Sequence, residues 1–114
     1  MSPAAWVLDL DGVIWLDDTP IDGAAEACAE LERAGVAPVF VTNMSRHTVE
    51  FQEAKLARHG IDAVGRVVTS ALAAASLCLP GERAVVVGGP GVVEALQDRD
   101  VAVVDGGPAD VVVV

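Results

Sequence analysis

Two aspartates, Asp9 and Asp11, interrupt an otherwise apolar run, Val7-Leu8-Asp9-Leu10-Asp11-Gly12-Val13. A strand buried on both faces of a parallel sheet is continuously apolar. Carboxylates there are costly unless they stand at the strand's carboxyl end, where open α/β sheets bind their ligands. Asp9 and Asp11 share parity, so an extended strand turns both the same way. Converging carboxylates repel unless a cation or a proton lies between them. Hard oxygen ligands of this kind suit Mg²⁺. Gly12 then permits a turn or a close backbone approach. A bare DxDG is short, however, and Asp11-Gly12 alone also reads as an ordinary turn.

A second segment adds weight. Val39-Phe40-Val41-Thr42-Asn43 is another apolar strand, ending in a hydroxyl and an amide. Ser45 follows at an expected helix start. A hydroxyl and backbone N–H groups at such a junction make a phosphate cradle, although helix capping explains the same residues. A DxDG strand and a VTN strand separated by one helix form a more specific pattern than either alone.

The elements that would position these groups alternate along the chain. Strands are expected over residues 6–10, 38–42, 67–69, 84–87, 101–104 and 111–114. Helices are expected after Asp22, after Ser45, after Thr69 or Ser70, and through Val92, Val93 and Leu96. Asp22 and Ser45 are read as helix caps, and Gly35, Gly60 and Pro80 as stops. Alternating strands and helices imply right-handed crossovers and an α/β fold with a doubly wound, mostly parallel sheet. Leu79-Pro80-Gly81-Glu82 is the sharpest joint between substructures. The closing valines, 111–114, read as the opening of a buried strand, so the sequence is expected to be cut within an element.

The bulk properties narrow the classes of function. The chain has 114 residues, 53% of them hydrophobic, which suits one modest domain with a sizeable aliphatic core. Seventeen acidic residues against seven basic ones give a formal charge of -10. That disfavours nucleic acid and anionic membranes, but not a small phosphorylated ligand held by backbone amides or a metal ion. No signal peptide or membrane span is visible. Cys28 and Cys78 read as buried thiols in a reducing compartment. A cytoplasmic setting is therefore expected.

The motifs together carry a resemblance. DLDGVIW (residues 9–15), IDGAAE (21–26), VTNMS (41–45) and VVTSALAAA (67–75) look like the opening of the NagD-like group of haloacid-dehalogenase-like (HAD) phosphatases. That group includes sugar-phosphate, nucleotide, p-nitrophenyl, phosphoglycolate and glycerol-3-phosphate phosphatases. The resemblance implies a Rossmannoid core with an inserted α/β cap, here residues 1–81 and 82–114, the cap incomplete. It implies Mg²⁺-dependent hydrolysis of a small phosphorylated metabolite. Asp9 would be the nucleophile that becomes an aspartyl-phosphate, and Asp11 the general acid/base. The Asp9 side chain and the Asp11 backbone carbonyl would hold Mg²⁺. Thr42, the Asn43 amide and Gly12 would line the phosphate.

The group also needs a lysine and a late acidic pair, neither of which this sequence supplies. Lys55 is its only lysine and reads as a solvated residue of the helix after VTNMS. Asp105 and Asp110 read as turn residues. Phosphoryl transfer depends on neutralising developing charge, so the chain alone is expected to be a poor or inactive phosphatase. An incomplete sheet exposes an edge, which leaves a homo-oligomer open. Gly88-Gly89-Pro90-Gly91 is not GxGxxG and reads as a strand-to-helix turn. Arg46 and Ser70 are minor candidates at the same rim, and Trp15 borders either the entrance or the core. Two other classes compete: a receiver-like phospho-acceptor domain, and a non-catalytic fragment or interaction module.

Overall fold

The computed structural model describes residues 5–114. Twelve elements follow in order among them: β1 (Val7–Asp9), β2 (Trp15–Leu16), β3 (Thr19–Pro20), α1 (Ala24–Arg33), β4 (Val39–Thr42), α2 (Val49–Arg58), β5 (Val67–Thr69), α3 (Ser70–Ala75), β6 (Arg83–Val86), α4 (Pro90–Gln97), β7 (Ala102–Val104) and β8 (Val111–Val113). They fall into two compact units. One holds the described residues up to 42 and residues 50–68, the other residues 43–49 and 69–114.

The first unit carries a three-stranded sheet in the order β1-β4-β5 and a small hairpin, β2-β3. β1 and β4 run parallel, with Val7 opposite Val39, Leu8 opposite Phe40 and Asp9 opposite Val41. Parallel neighbours need a crossover, and α1 supplies it. The buried side chains are those the apolar patterning marks: Leu10, Ile14, Trp15, Cys28, Phe40 and Leu56 are at most 3% exposed. The β2-β3 hairpin is antiparallel and turns through Asp17 and Asp18, with Asp17 at φ 53°. Nothing in the apolar pattern marks so short a ribbon.

The second unit carries a separate parallel sheet in the order β7-β6-β8. Its core gathers Ala71, Ala75 and Cys78 from the α3 region, Ala84 from β6, Val92, Ala95 and Leu96 from α4, and Val101 and Val113 from the edges of β7 and β8. The Thr69 side chain caps α3, its hydroxyl accepting from the Leu72 N–H at 3.1 Å, as the sequence suggests.

Two expected caps are not made. α1 starts from Gly23, which takes the N-cap position at φ 86° with no side-chain hydrogen bond, and Asp22 stays outside it. Only glycine adopts that left-handed conformation cheaply, so it displaces the aspartate. Ser45 does not cap α2, which begins four residues later at Val49. The intervening backbone is used otherwise. The Gly91 N–H donates to the Arg46 carbonyl at 3.0 Å. A Cβ on Gly89 would lie 2.7 Å from that carbonyl oxygen, and one on Gly91 would collide with the Ser45 and His47 carbonyls. The loop before α2 is thus committed to the turn that opens α4. Gly88-Gly89-Pro90-Gly91 is the strand-to-helix turn expected, with Pro90 in the first helical turn.

Candidate active site

Asp9 closes β1 and Thr42 closes β4. The ladder pairs Asp9 with Val41, so Thr42 stands one residue beyond it at the same carboxyl edge of the sheet. This is where open α/β sheets bind ligands. The Asp9 carboxylate is exposed, and its Oδ1 accepts the Leu10 N–H at 2.8 Å. Thr42 is buried, at 5% exposure.

Past β1 the chain folds back at once. The Leu10 carbonyl accepts from the Ile14 N–H at 2.9 Å, and the Gly12 N–H donates to the Trp15 carbonyl at 2.8 Å. Gly12 holds φ 84°, and a Cβ there would meet nothing within 4 Å. Its glycine is therefore a matter of backbone conformation, not of close approach. The turn leaves Asp11 exposed, with its Oδ1 accepting the Trp15 indole N–H at 3.0 Å.

Trp15 is itself 1% exposed, so it belongs to the core while its polar edge reaches the loop. Lys55 departs from its expected role. Its side chain is only 12% exposed. The ammonium lies 4.3 Å from the Trp15 ring centroid, donates to the Asp17 carbonyl at 2.7 Å and pairs with Asp18 at 3.3 Å. The hairpin folds over this face of α2 and removes the lysine from solvent. Sequence reasoning missed the contact, because the helical period shows a face but not what covers it.

In the second unit, Asn43 is exposed, and its carbonyl accepts the Ser70 hydroxyl at 3.0 Å. Ser70, at the first turn of α3, thereby holds the backbone that follows Thr42. Arg46 is exposed, and its backbone serves the Gly91 contact.

Among the described residues, no group of three or more His, Cys, Asp or Glu side chains is arranged to hold a metal ion. Two carboxylates remain, each with one oxygen engaged by an N–H. Mg²⁺ is commonly held by one or two carboxylates, with water and substrate phosphate completing the shell. The donor set at Asp9 and Asp11 fits that minimal kind of site. A cavity of about 610 Å³ also opens in the first unit, lined by Trp6, Leu8, Val13, Ala27 and Leu31 among others. It is apolar and includes neither aspartate, so it is not this site.

Cys28 is buried, and its thiol is held above the ordinary cysteine value, first by desolvation and then by the Glu32 charge, with Arg66 opposing. Such a thiol is a poor nucleophile. Cys28 and Cys78 are both free. Among the described residues no helix is long and apolar enough to cross a membrane.

Known proteins resemble this chain in sequence and in fold. Acid sugar phosphatase of Staphylococcus saprophyticus is 36% identical over 114 residues, covering 96% of this chain and 44% of that protein. The structure of NagD from E. coli K-12 superimposes with a TM-score of 0.84 at 28% identity, covering 99% of this chain and 46% of that one. A glycerol phosphate phosphatase from Mycobacterium tuberculosis, in complex with magnesium, gives 0.81 at 26% identity, covering 96% of this chain and 35% of that one. The chain thus spans less than half the length of these relatives. The model of the haloacid dehalogenase-like hydrolases matches residues 6–102. With that match over most of its length, the chain belongs to the haloacid dehalogenase-like hydrolases.

Proposed function

We propose that the chain carries the nucleophilic half of a phosphatase site for a small phosphorylated metabolite, in a protein of the NagD-like kind. The observation that carries this reading is the shared edge of Asp9 and Thr42. Asp9 is the nucleophile: an oxygen of its carboxylate attacks phosphorus in line, the bond to the leaving oxygen breaks, and an aspartyl-phosphate forms. Asp11 gives a proton to the leaving oxygen and then takes one from the water that hydrolyses the acyl phosphate. Thr42, the Asn43 amide and the Gly12 backbone hold phosphate oxygens. Asp9 and the Asp11 backbone carbonyl would hold Mg²⁺, which neutralises negative charge at the phosphoryl group when bound.

The relatives supply the substrate class: their names specify sugar and glycerol phosphates. With the family known, a receiver-like phospho-acceptor domain is no longer a competitor. We take residues 1–81 as core and 82–114 as the opening of a cap, since the second sheet begins only at Arg83. Two buried free thiols support a cytoplasmic setting.

Hydrolysis of p-nitrophenyl phosphate tests the reading. Turnover is expected to be slow, to require Mg²⁺ and to vanish in Asp9→Asn. Turnover that survives that change overturns the assignment of Asp9.

A further inference from the structure

The only lysine of the chain is engaged on three sides, and among the described residues these partners all lie on the segment that follows Asp11. Its ammonium faces the Trp15 ring, the Asp17 carbonyl and the Asp18 carboxylate. Trp15 in turn spends its one side-chain donor, the indole N–H, on Asp11. An indole buried for packing alone needs some acceptor for its N–H, and a backbone carbonyl would serve. Here the acceptor is the exposed carboxylate that the mechanism uses for proton transfer. A second side chain meets the same ring. The His59 ring lies 5.2 Å from it at 47°, and its Nδ1 is 2.8 Å from the Lys55 carbonyl. The indole thus meets two side chains four residues apart, Lys55 of α2 and His59 just past its end.

We propose that Trp15 is a positioning residue for Asp11, and that Lys55 braces it. This rests on the reading of Asp11 as the general acid/base. The indole N–H fixes one oxygen of Asp11, and with it the side-chain rotamer, leaving the other oxygen to give and take the proton. A cation over the ring face resists tilting of the indole. The same ammonium ties the hairpin turn to α2. The conformation of the loop after β1 is therefore set from α2, through one aromatic ring. A flexible aspartate at an exposed loop samples several rotamers; this one is held to one.

The test is NMR of the 114-residue chain, without metal, phosphate or turnover. Three-bond couplings between the backbone and the Asp11 carboxyl carbon report its χ1. The wild type is expected to show one rotamer. Trp15→Phe, which keeps an aromatic ring but no donor, is expected to give averaged couplings. Lys55→Met, which keeps the stem without the charge, is expected to do the same to a smaller degree. Asp11→Ala is expected to move the Trp15 indole proton and to speed its exchange with solvent at least about tenfold. Asp9→Ala should leave that proton in place. A purely structural tryptophan would not move the Asp11 couplings. Averaging in a folded variant supports the proposal. If Trp15→Phe does not fold, Lys55→Met decides. An unchanged Asp11 rotamer in every folded variant overturns it, as does an indole proton indifferent to Asp11→Ala. Because no step involves phosphate, failure here is distinct from failure of the phosphatase reading.

Discussion

Asp9 lies opposite Val41 in the parallel ladder of β1 and β4, which brings Thr42 to the same sheet edge as the aspartate. Both residues come from the ends of parallel strands separated by one helix. That relationship gives the acidic pair a context that a four-residue motif lacks, and the further expectations follow from what surrounds it.

The loop before α2 depends on glycine at the start of α4. A side chain on Gly91 would strike the Ser45 and His47 carbonyls, backbone atoms that cannot rotate away. Gly91→Ala is expected to destabilise the second unit by about 1–3 kcal/mol, the usual range for overpacking. Urea unfolding checks this. A Gly106→Ala control, where a Cβ would meet nothing within 4 Å, should stay close to wild type.

Burial and the Glu32 charge raise the Cys28 thiol above its ordinary value of 9.0, with Arg66 acting in the other direction. A raised value favours the protonated thiol in the folded state. The stability it contributes is fully present below the unfolded-state value and is lost as pH rises through the folded-state value. Unfolding free energy should therefore fall on the alkaline side, from about pH 9 upward. In a Cys78→Ala background, native Cys28 should react with a thiol reagent at pH 8 at least about tenfold more slowly than the unfolded chain. Equal rates would contradict the burial.

β1 stands at the end of the β1-β4-β5 order, and its Val7 is 63% exposed. An open apolar edge is a template for another strand. We expect two copies of the chain to associate through it, with mass rising with concentration in sedimentation. Val7→Lys should return the chain to monomer, and association unaffected by that change would place the contact elsewhere.

The longer strands and the two strand ends that carry Asp9 and Thr42 were legible because the strands of a parallel sheet are apolar runs, and a polar residue at their end is conspicuous. Asp9, Thr42 and the Thr69 cap emerged from that logic. The starts of α1 and α2 did not. Gly23 takes the cap from Asp22 by backbone conformation, and residues 43–48 are committed to a turn nearly fifty residues away. Neither is written in local propensity. Lys55 was misread for a related reason: its place on α2 is visible in the sequence, but the hairpin that covers it consists of two strands of two residues each. The apolar pattern is silent on elements that short.

Whether Asp9 accepts the phosphoryl group can be read directly. Beryllofluoride mimics a phosphoryl group on a carboxylate, and fluorine NMR with amide mapping reads its binding directly. Mg²⁺-dependent bound fluorine signals are expected, with amide shifts at residues 9–12 and 42–43, all lost in Asp9→Ala. Bound signals that persist in Asp9→Ala, or shifts centred on another part of the chain, would contradict it.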